Sequence, residues 1–361
     1  MPSLQLAFKA NRDHVPVYIE PQIWKSLLHF IHQNFPEKPL YFFTDSHLLT
    51  VYEGEIRQHF ATLSNFRNLF TFPAGEKSKS RRQKDRLEDL LLSDNAGRDS
   101  LILAMGGGVT GDLIGHVASN LYRGVSLIHL PTSLIAQVDS SIGGKVGINH
   151  PTGKNLLGSF YQPEAVFMGI SFLKTLSPRE YSNGMAEIIK YAVALDQQLW
   201  DLLDEHVKLI RERELDLLED IVTRCVNLKI DVVQKDEKES HYRSILNFGH
   251  TVGHAIEQLS YYRIKHGFAI ATGMRIALDL SRQLLGYPIG NLKRLDRTLN
   301  QYGLKKLNIH RFDKKVLWKV MQSDKKARNR SPRFTLLDSQ NEPALFYPVS
   351  EKEFQHALAT F

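Results

Sequence analysis

The segment Leu246-Asn-Phe-Gly-His250-Thr-Val-Gly-His254-Ala-Ile-Glu257 sets two imidazoles four residues apart. On a helix that spacing places them on one face, where they can grip a divalent metal or a phosphorylated substrate. The pair lacks the glutamate of an HExxH zinc protease, so that chemistry is excluded and further ligands must come from elsewhere in the chain. Glu187, in Gly184-Met-Ala-Glu187-Ile-Ile-Lys190, and His266, in Lys265-His266-Gly267, are candidates that spacing does not separate. A catalytic zinc needs three protein ligands. Glu187 and Lys190 are three apart, as in a simple surface salt bridge. Their neighbours Met185, Ala186, Ile188 and Ile189 point instead to a partly buried face. A carboxylate there needs a partner, and a metal is one.

Two glycine-rich stretches suggest anion binding. Gly106-Gly107-Gly108-Val-Thr-Gly-Asp112 is not the GxGxxG fingerprint. Glycines between a strand and a helix nevertheless let backbone N–H groups approach a pyrophosphate at the positive end of the helix. The second stretch, Gln137 to Asn155, is dense in glycine and polar residues. Lys145, Lys154 and Asn155 offer donors to phosphate or hydroxyl groups, and Asp139 offers an acceptor. The simpler reading is a solvated loop turning at Gly143-Gly144.

These groups must be positioned by regular elements. Leu40–Thr44, Ser100–Met105 and Val125–Leu130 are short apolar runs of the kind that form buried parallel strands. Helical spacing appears between them over Lys84–Ser93 and Asp112–Leu121, so the first half reads as α/β with a mostly parallel sheet. From about Ser177 the chain is mainly helical, with helices predicted over Arg179–Leu195, Gln198–Arg211, Leu215–Gln234, His250–Tyr261 and Ala269–Leu285. The division is 1–176, a Rossmann-like nucleotide-binding domain, and 177–361, a helical metal- and substrate-binding domain. A cleft between the halves is the default expectation for a site.

Composition narrows the class. At 361 residues, 42% apolar and 24% charged, the chain is that of an ordinary globular protein. Its net charge of +7 could suit nucleic acid. The basic runs Lys77–Lys84 and Lys325–Arg330 carry no interleaved aromatics, however, so a small anionic substrate is the better fit. The single cysteine, Cys225, excludes an intrachain disulfide and a cysteine metal cluster, and reads as helix core. The N-terminus lacks a signal peptide pattern, and no run approaches the ~20 apolar residues of a membrane span. A cytoplasmic protein is expected.

Taken together, these motifs resemble the 3-dehydroquinate synthases of the sugar phosphate cyclase family. The resemblance runs from about Asp45 to Lys326 and includes Gly75-Glu76-Lys-Ser-Lys79, the Gly106–Asp112 run, Gln137–Lys145, Gly153-Lys154-Asn155, Gly184–Lys190, Arg243–His254, His266-Gly267 and Asp324-Lys325-Lys326. It implies zinc, or cobalt in its place, held by Glu187, His250 and His266. It implies NAD at Asp45, Glu76, Lys79, Gly107, Gly108, Asp112, Thr132, Ser133 and Lys154. Substrate groups would be Asp139, Lys145, Asn155, Lys190, Lys229, Arg243, Asn247, His254 and Lys326, with Arg123 a phosphate contact donated by a neighbouring subunit of a homodimer.

The implied reaction takes 3-deoxy-D-arabino-heptulosonate 7-phosphate to 3-dehydroquinate and phosphate in the shikimate pathway of aromatic amino acid biosynthesis. An alcohol is oxidised by NAD, phosphate is eliminated, the hydride is returned, and an aldol step closes the ring. The family usually reads His-Gly-Glu where this chain has His266-Gly267-Phe268, so altered support of His266 is expected. Ser133 and Val146 each stand where threonine is common.

Other readings stay in view. Sister cyclases make 2-deoxy-scyllo-inosose, 2-epi-5-epi-valiolone or aminodehydroquinate. Asn247 and the Gly253-His254 pair favour dehydroquinate chemistry over the first two. A metal-dependent alcohol dehydrogenase of similar fold would accumulate NADH, and a silent homologue would bind no zinc.

Overall fold

The structure is a computed structural model and describes residues 14–236, 241–322 and 331–361. Lys326, with its neighbours Asp324 and Lys325, lies outside them. The chain divides into two compact units at Phe172/Leu173.

The first unit is built on a six-stranded sheet whose strand pairings are parallel. Its strands are β1 (Val17–Glu20), β2 (Leu40–Asp45), β3 (Phe66–Phe72), β4 (Leu101–Gly106), β5 (Ser126–Pro131) and β8 (Ala165–Gly169), in the order β1-β8-β5-β4-β2-β3. Helices α1 (Trp24–Asn34), α2 (Ser46–Phe60), α3 (Arg81–Ser93) and α4 (Gly108–Asn120) alternate with the strands. Along β2, Leu40 and Phe42 enter one apolar cluster with α1 and α2, while Tyr41 and Phe43 enter another with α3 and α4. A strand covered on both faces cannot alternate polar and apolar residues, which is why these strands are continuous apolar runs.

The chain leaves β2 for the edge strand β3, then returns over β2 to β4 and continues the other way through β5 and β8. The reversal puts a topological switch point at the carboxyl ends of β2 and β4, the usual place for a nucleotide in such a sheet. Asp45 ends β2, and Gly107 and Gly108 follow β4.

Part of the glycine-rich stretch is more regular than a solvated loop. A π-helical turn covers Ala136–Ser140, and β6 (Lys145–His150) and β7 (Gly153–Phe160) form an antiparallel hairpin. Val146 and Ile148 alternate inward and are buried, and a Cβ on Gly115 of α4 would come 2.3 Å from the Val146 side chain. The period of two was hidden by the glycines around it.

The second unit contains α5 (Pro178–Ala194), α6 (Gln197–Glu205), α7 (Val207–Glu212), α8 (Leu215–Lys235), α9 (His250–Leu259), α10 (His266–Leu285), α11 (Ile289–Gln301), α12 (Lys314–Gln322) and α13 (Glu351–Thr360). It also holds a hairpin that the helical reading did not foresee, β9 (Arg333–Leu337) with β10 (Pro343–Pro348). The helix expected over Gln198–Arg211 is broken at His206, whose backbone is non-helical. Helices α4 and α10 begin three or four residues earlier than expected, at Gly108 and His266. Low glycine propensity masked those first turns. Cys225 is fully buried on α8, and burial pushes its thiol pKa up.

Candidate active site

In the second unit, α5 presents Glu187 with no solvent exposure. Its Oε1 lies 3.0 Å from His266 Nε2 and 3.6 Å from His250 Nε2. These three residues offer ligand atoms within 4.8 Å of one another. Each imidazole is fixed from behind: His250 Nδ1 is 3.1 Å from the Phe248 carbonyl, and His266 Nδ1 is 3.1 Å from Glu257 Oε2. A ring whose Nδ1–H donates to an oxygen presents an unprotonated Nε2 forward, which is how protein imidazoles are prepared for metals. A buried carboxylate, two oriented imidazoles and an outer carboxylate therefore fit a zinc-type ion.

The charges agree with that fit. Burial alone would raise Glu187, but the Lys190 ammonium, ion-paired with it, and the two histidines hold its pKa well below the usual carboxylate range. Burial pushes His250 well below the usual histidine value despite Glu187. Burial opposes protonation of His266 too, yet the Glu257 and Glu187 carboxylates lift it to about 10. The two carboxylates flanking the His266 ring thus favour positive charge there, and a metal at Nε2 would displace the proton.

His266 Nδ1 has a carboxylate partner in Glu257 of α9, and Phe268, which stands where a family glutamate was expected, has the Arg179 guanidinium 6.0 Å from its ring centre. Glu257 was not singled out as a site residue from the sequence. Its spacing was legible, since it stands three residues after His254 and seven after His250 on one helical face. His254 is packed edge-on to His250 with ring centres 5.3 Å apart. His254, Glu257 and His266 form a second group of ligand atoms within 4.8 Å, which shares His266 with the first. Lys190, Lys229 and Arg243 are all nearly fully buried, and Lys190 is ion-paired with Glu187. Asn247 ends the short helical turn Tyr242–Asn247 that leads into α9.

Two glycines bring the ligands on α9 and α10 together. A Cβ on Gly273 would come 1.9 Å from the Gly249 carbonyl oxygen, and one on Gly253 would come 2.4 Å from the Ile270 side chain. Only hydrogen fits at such a crossing, so the starts of α9 and α10 approach closely.

In the first unit the residues assigned to NAD gather at the carboxyl ends of the strands. The Asp45 side chain caps α2, accepting from His47 N and Leu48 N. Gly107 is the cap of α4 and offers its first amides no side-chain acceptor. Cβ atoms on Gly107 and Gly108 would meet Ser133 Oγ at 3.2 Å and Ser140 Oγ at 3.0 Å. Side chains there would fill the turn, so the open backbone suits a pyrophosphate. Thr132, after β5, is buried and its N–H donates to the Gly106 carbonyl.

Lys79 donates to both Asp112 Oδ2 and Asn155 Oδ1, at 2.5 Å each. Burial outweighs the ammonium and holds the Asp112 pKa above the usual carboxylate range. The side-chain oxygen of Asn155, a residue expected at the substrate, accepts from the cofactor-assigned Lys79. Asn149 was not singled out: it donates to Glu76 Oε1 at 2.7 Å and accepts from Asn155 N at 3.0 Å, holding Asn155 at a left-handed φ of 52°. Lys154 lies 4.0 Å from Glu76. Asp139 is half-buried, and Lys145 and Arg123 are exposed, the latter at φ 67°.

The 3-dehydroquinate synthase N-terminal family matches residues 69–183, and the 3-dehydroquinate synthase C-terminal family matches residues 184–327. The chain belongs to the 3-dehydroquinate synthase family. Among relatives, it is 40% identical to the 3-dehydroquinate synthase of Dictyoglomus thermophilum over 98% of this chain and 97% of that one. It is 38% identical to that of Clostridium tetani over 88% and 84%. Among solved structures, 2-epi-5-epi-valiolone synthase from Streptomyces hygroscopicus subsp. jinggangensis, with NAD+ and Zn2+ bound, superposes with a TM-score of 0.88 at 25% identity, covering 99% of each chain. A 2-deoxy-scyllo-inosose synthase complexed with carbaglucose-6-phosphate, NAD+ and Co2+ gives 0.84 at 26%, covering 95% of each. The fold thus spans the sugar phosphate cyclases, while sequence identity is higher to the 3-dehydroquinate synthases.

Proposed function

We propose that this chain converts 3-deoxy-D-arabino-heptulosonate 7-phosphate to 3-dehydroquinate and phosphate, holding NAD at the strand ends of its first unit and zinc at Glu187, His250 and His266. The observation that carries the metal assignment is the convergence of Glu187 Oε1 with two imidazole Nε2 atoms whose Nδ1 atoms are fixed from behind. When bound, the metal supplies Lewis acidity at a substrate hydroxyl and NAD takes and returns a hydride.

The remaining chemistry belongs to side chains. Lys190 neutralises Glu187 and favours its ionised form. Lys145, Arg243, Asn155 and Lys326 bind and neutralise phosphate, and Asp139, Lys229 and Asn247 orient hydroxyl and carboxylate groups. The His254 imidazole holds or passes a proton at a ring nitrogen. Lys79 neutralises Asp112 beside the glycine turn, which lowers the cost of bringing a dinucleotide phosphate near that carboxylate. Arg123 reaches phosphate from a second copy of the chain in a homodimer. The described helices include none long and apolar enough to cross a membrane, and the proposed place of work is the cytoplasm.

The test supplies purified protein with zinc, NAD and the heptulosonate phosphate. Phosphate release with 3-dehydroquinate as product and no net NADH is expected. No phosphate release at saturating cofactor would sink the proposal. Net NADH would favour an alcohol dehydrogenase, and a product from another sugar phosphate would favour a sister cyclase.

A further inference from the structure

Helix α10 begins at His266, the proposed metal ligand, but its cap residue Lys265 provides no capping hydrogen bond. A cap normally accepts from the amide two or three positions on. Here the acceptor comes from another helix: Asn183 Oδ1 of α5 takes the Gly267 N–H at 2.7 Å. Asn183 is 7% exposed and the bond is buried. Asn183 and Glu187 are four residues apart and share a face of α5. One face of one helix therefore holds both the backbone next to His266 and the carboxylate opposite its ring. The approach leaves no slack, because a Cβ on Gly267 would lie 2.1 Å from the Asn183 carbonyl oxygen. An ion pair between Glu180 and Lys265 completes the docking of the α10 start onto α5.

We infer that Asn183 is a positioning residue for the metal centre: its side-chain oxygen caps α10 from α5 and fixes His266 Nε2 toward Glu187. The inference rests on the metal reading above. Removing the acceptor leaves the Gly267 N–H buried without a partner, and the first turn of α10 then relaxes away from α5. Outer partners of metal ligands are typically worth about 10–100-fold in metal affinity. An aspartate at 183 keeps the acceptor and suits a helix N-terminus, whereas alanine removes it.

The experiment compares the parent, Asn183→Ala and Asn183→Asp as metal-free full-length proteins. Zn2+ affinity is read by competition with a chromophoric chelator, the ligand field by the Co2+ absorption spectrum, and folding by the melt without metal. Expected is a loss of about 10–100-fold in Zn2+ affinity with an altered Co2+ spectrum for alanine, and near-parent values for aspartate. If the alanine variant does not fold, Asn183→Ser, whose shorter hydroxyl cannot span the same distance, is read in its place against aspartate. Parent-like metal binding by the alanine (or serine) variant overturns the inference, as does equal damage from aspartate. A parent that binds no Zn2+ overturns the metal reading itself, a different result from a parent that binds while the variants match it.

Discussion

The crossing of α9 and α10 gives a sharp prediction. A methyl group at 273 would sit 1.9 Å from the Gly249 carbonyl oxygen and 3.1 Å from Gly253 N, where ordinary contact begins at 3.4 Å. Both opposing atoms are backbone, so no rotamer change relieves the clash, and the helices must part by about 1.5 Å in a close-packed interior. Overpacking of this kind costs about 1–3 kcal/mol, and a backbone clash belongs at the upper end. For a unit of this size each kcal/mol is worth about 2–4 °C, so Gly273→Ala should lower the melting temperature by roughly 6–12 °C. The same displacement moves the start of α9 and hence His250. Metal sites tolerate only about 0.5 Å of drift, so Zn2+ affinity should fall at least about tenfold.

Gly290→Ala on α11 is the control, because nothing lies within 4 Å of a Cβ there. It should be neutral or stabilise by about 0.4–1 kcal/mol through the unfolded chain and helix propensity. Calorimetry and chelator competition on both variants decide the matter. A Gly273→Ala protein that melts within about 2 °C of the parent and binds Zn2+ equally well would refute the argument that this glycine sets the ligand geometry.

Two further perturbations follow from the structure. Glu257→Gln keeps an oxygen acceptor for His266 Nδ1 but removes its charge, and should weaken Zn2+ about tenfold with little change in the melt of the metal-free protein; unchanged affinity would show that Glu257 does not support the ligand. His129, buried on β5 beside Gly111 and Gly115, is pushed by burial down to about 4, so it is neutral when folded at pH 7. The unfolded histidine takes a proton at about 6.5. The stability this provides is whole above pH 6.5 and declines as pH falls toward 4, by about 2 kcal/mol at pH 5 and about 3 kcal/mol in all. His129→Leu should therefore show a shallower loss of urea midpoint between pH 7.5 and 5.0 than the parent, and equal slopes would count against the buried neutral ring.

Much of the site's chemistry was legible because it is written locally. The buried strands Leu40–Asp45 and Leu101–Gly106 read directly as apolar runs, since both faces of the sheet are covered. The spacing of His250, His254 and Glu257 is fixed by one helix, and the glycine run after β4 by one turn. The hairpin β6–β7 was harder to see because its inward residues are few and its glycines serve close backbone contact. The break at His206 carries no glycine or proline to announce it.

By itself the sequence determined residue types, local spacing and family membership, because composition and short-range periodicity are properties of the chain alone. The resemblance implied Glu187, His250 and His266 as ligands, but only tertiary structure brings their ligand atoms within 4.8 Å of one another, from three helices and from positions 63 and 16 residues apart along the chain. Tertiary structure also decided that Glu257 Oε2 lies behind the His266 ring and that Asn183 accepts from the first turn of α10. Those choices rest on glycine-sized gaps at helix crossings and on hydrogen bonds between distant residues, and neither exists until the helices pack.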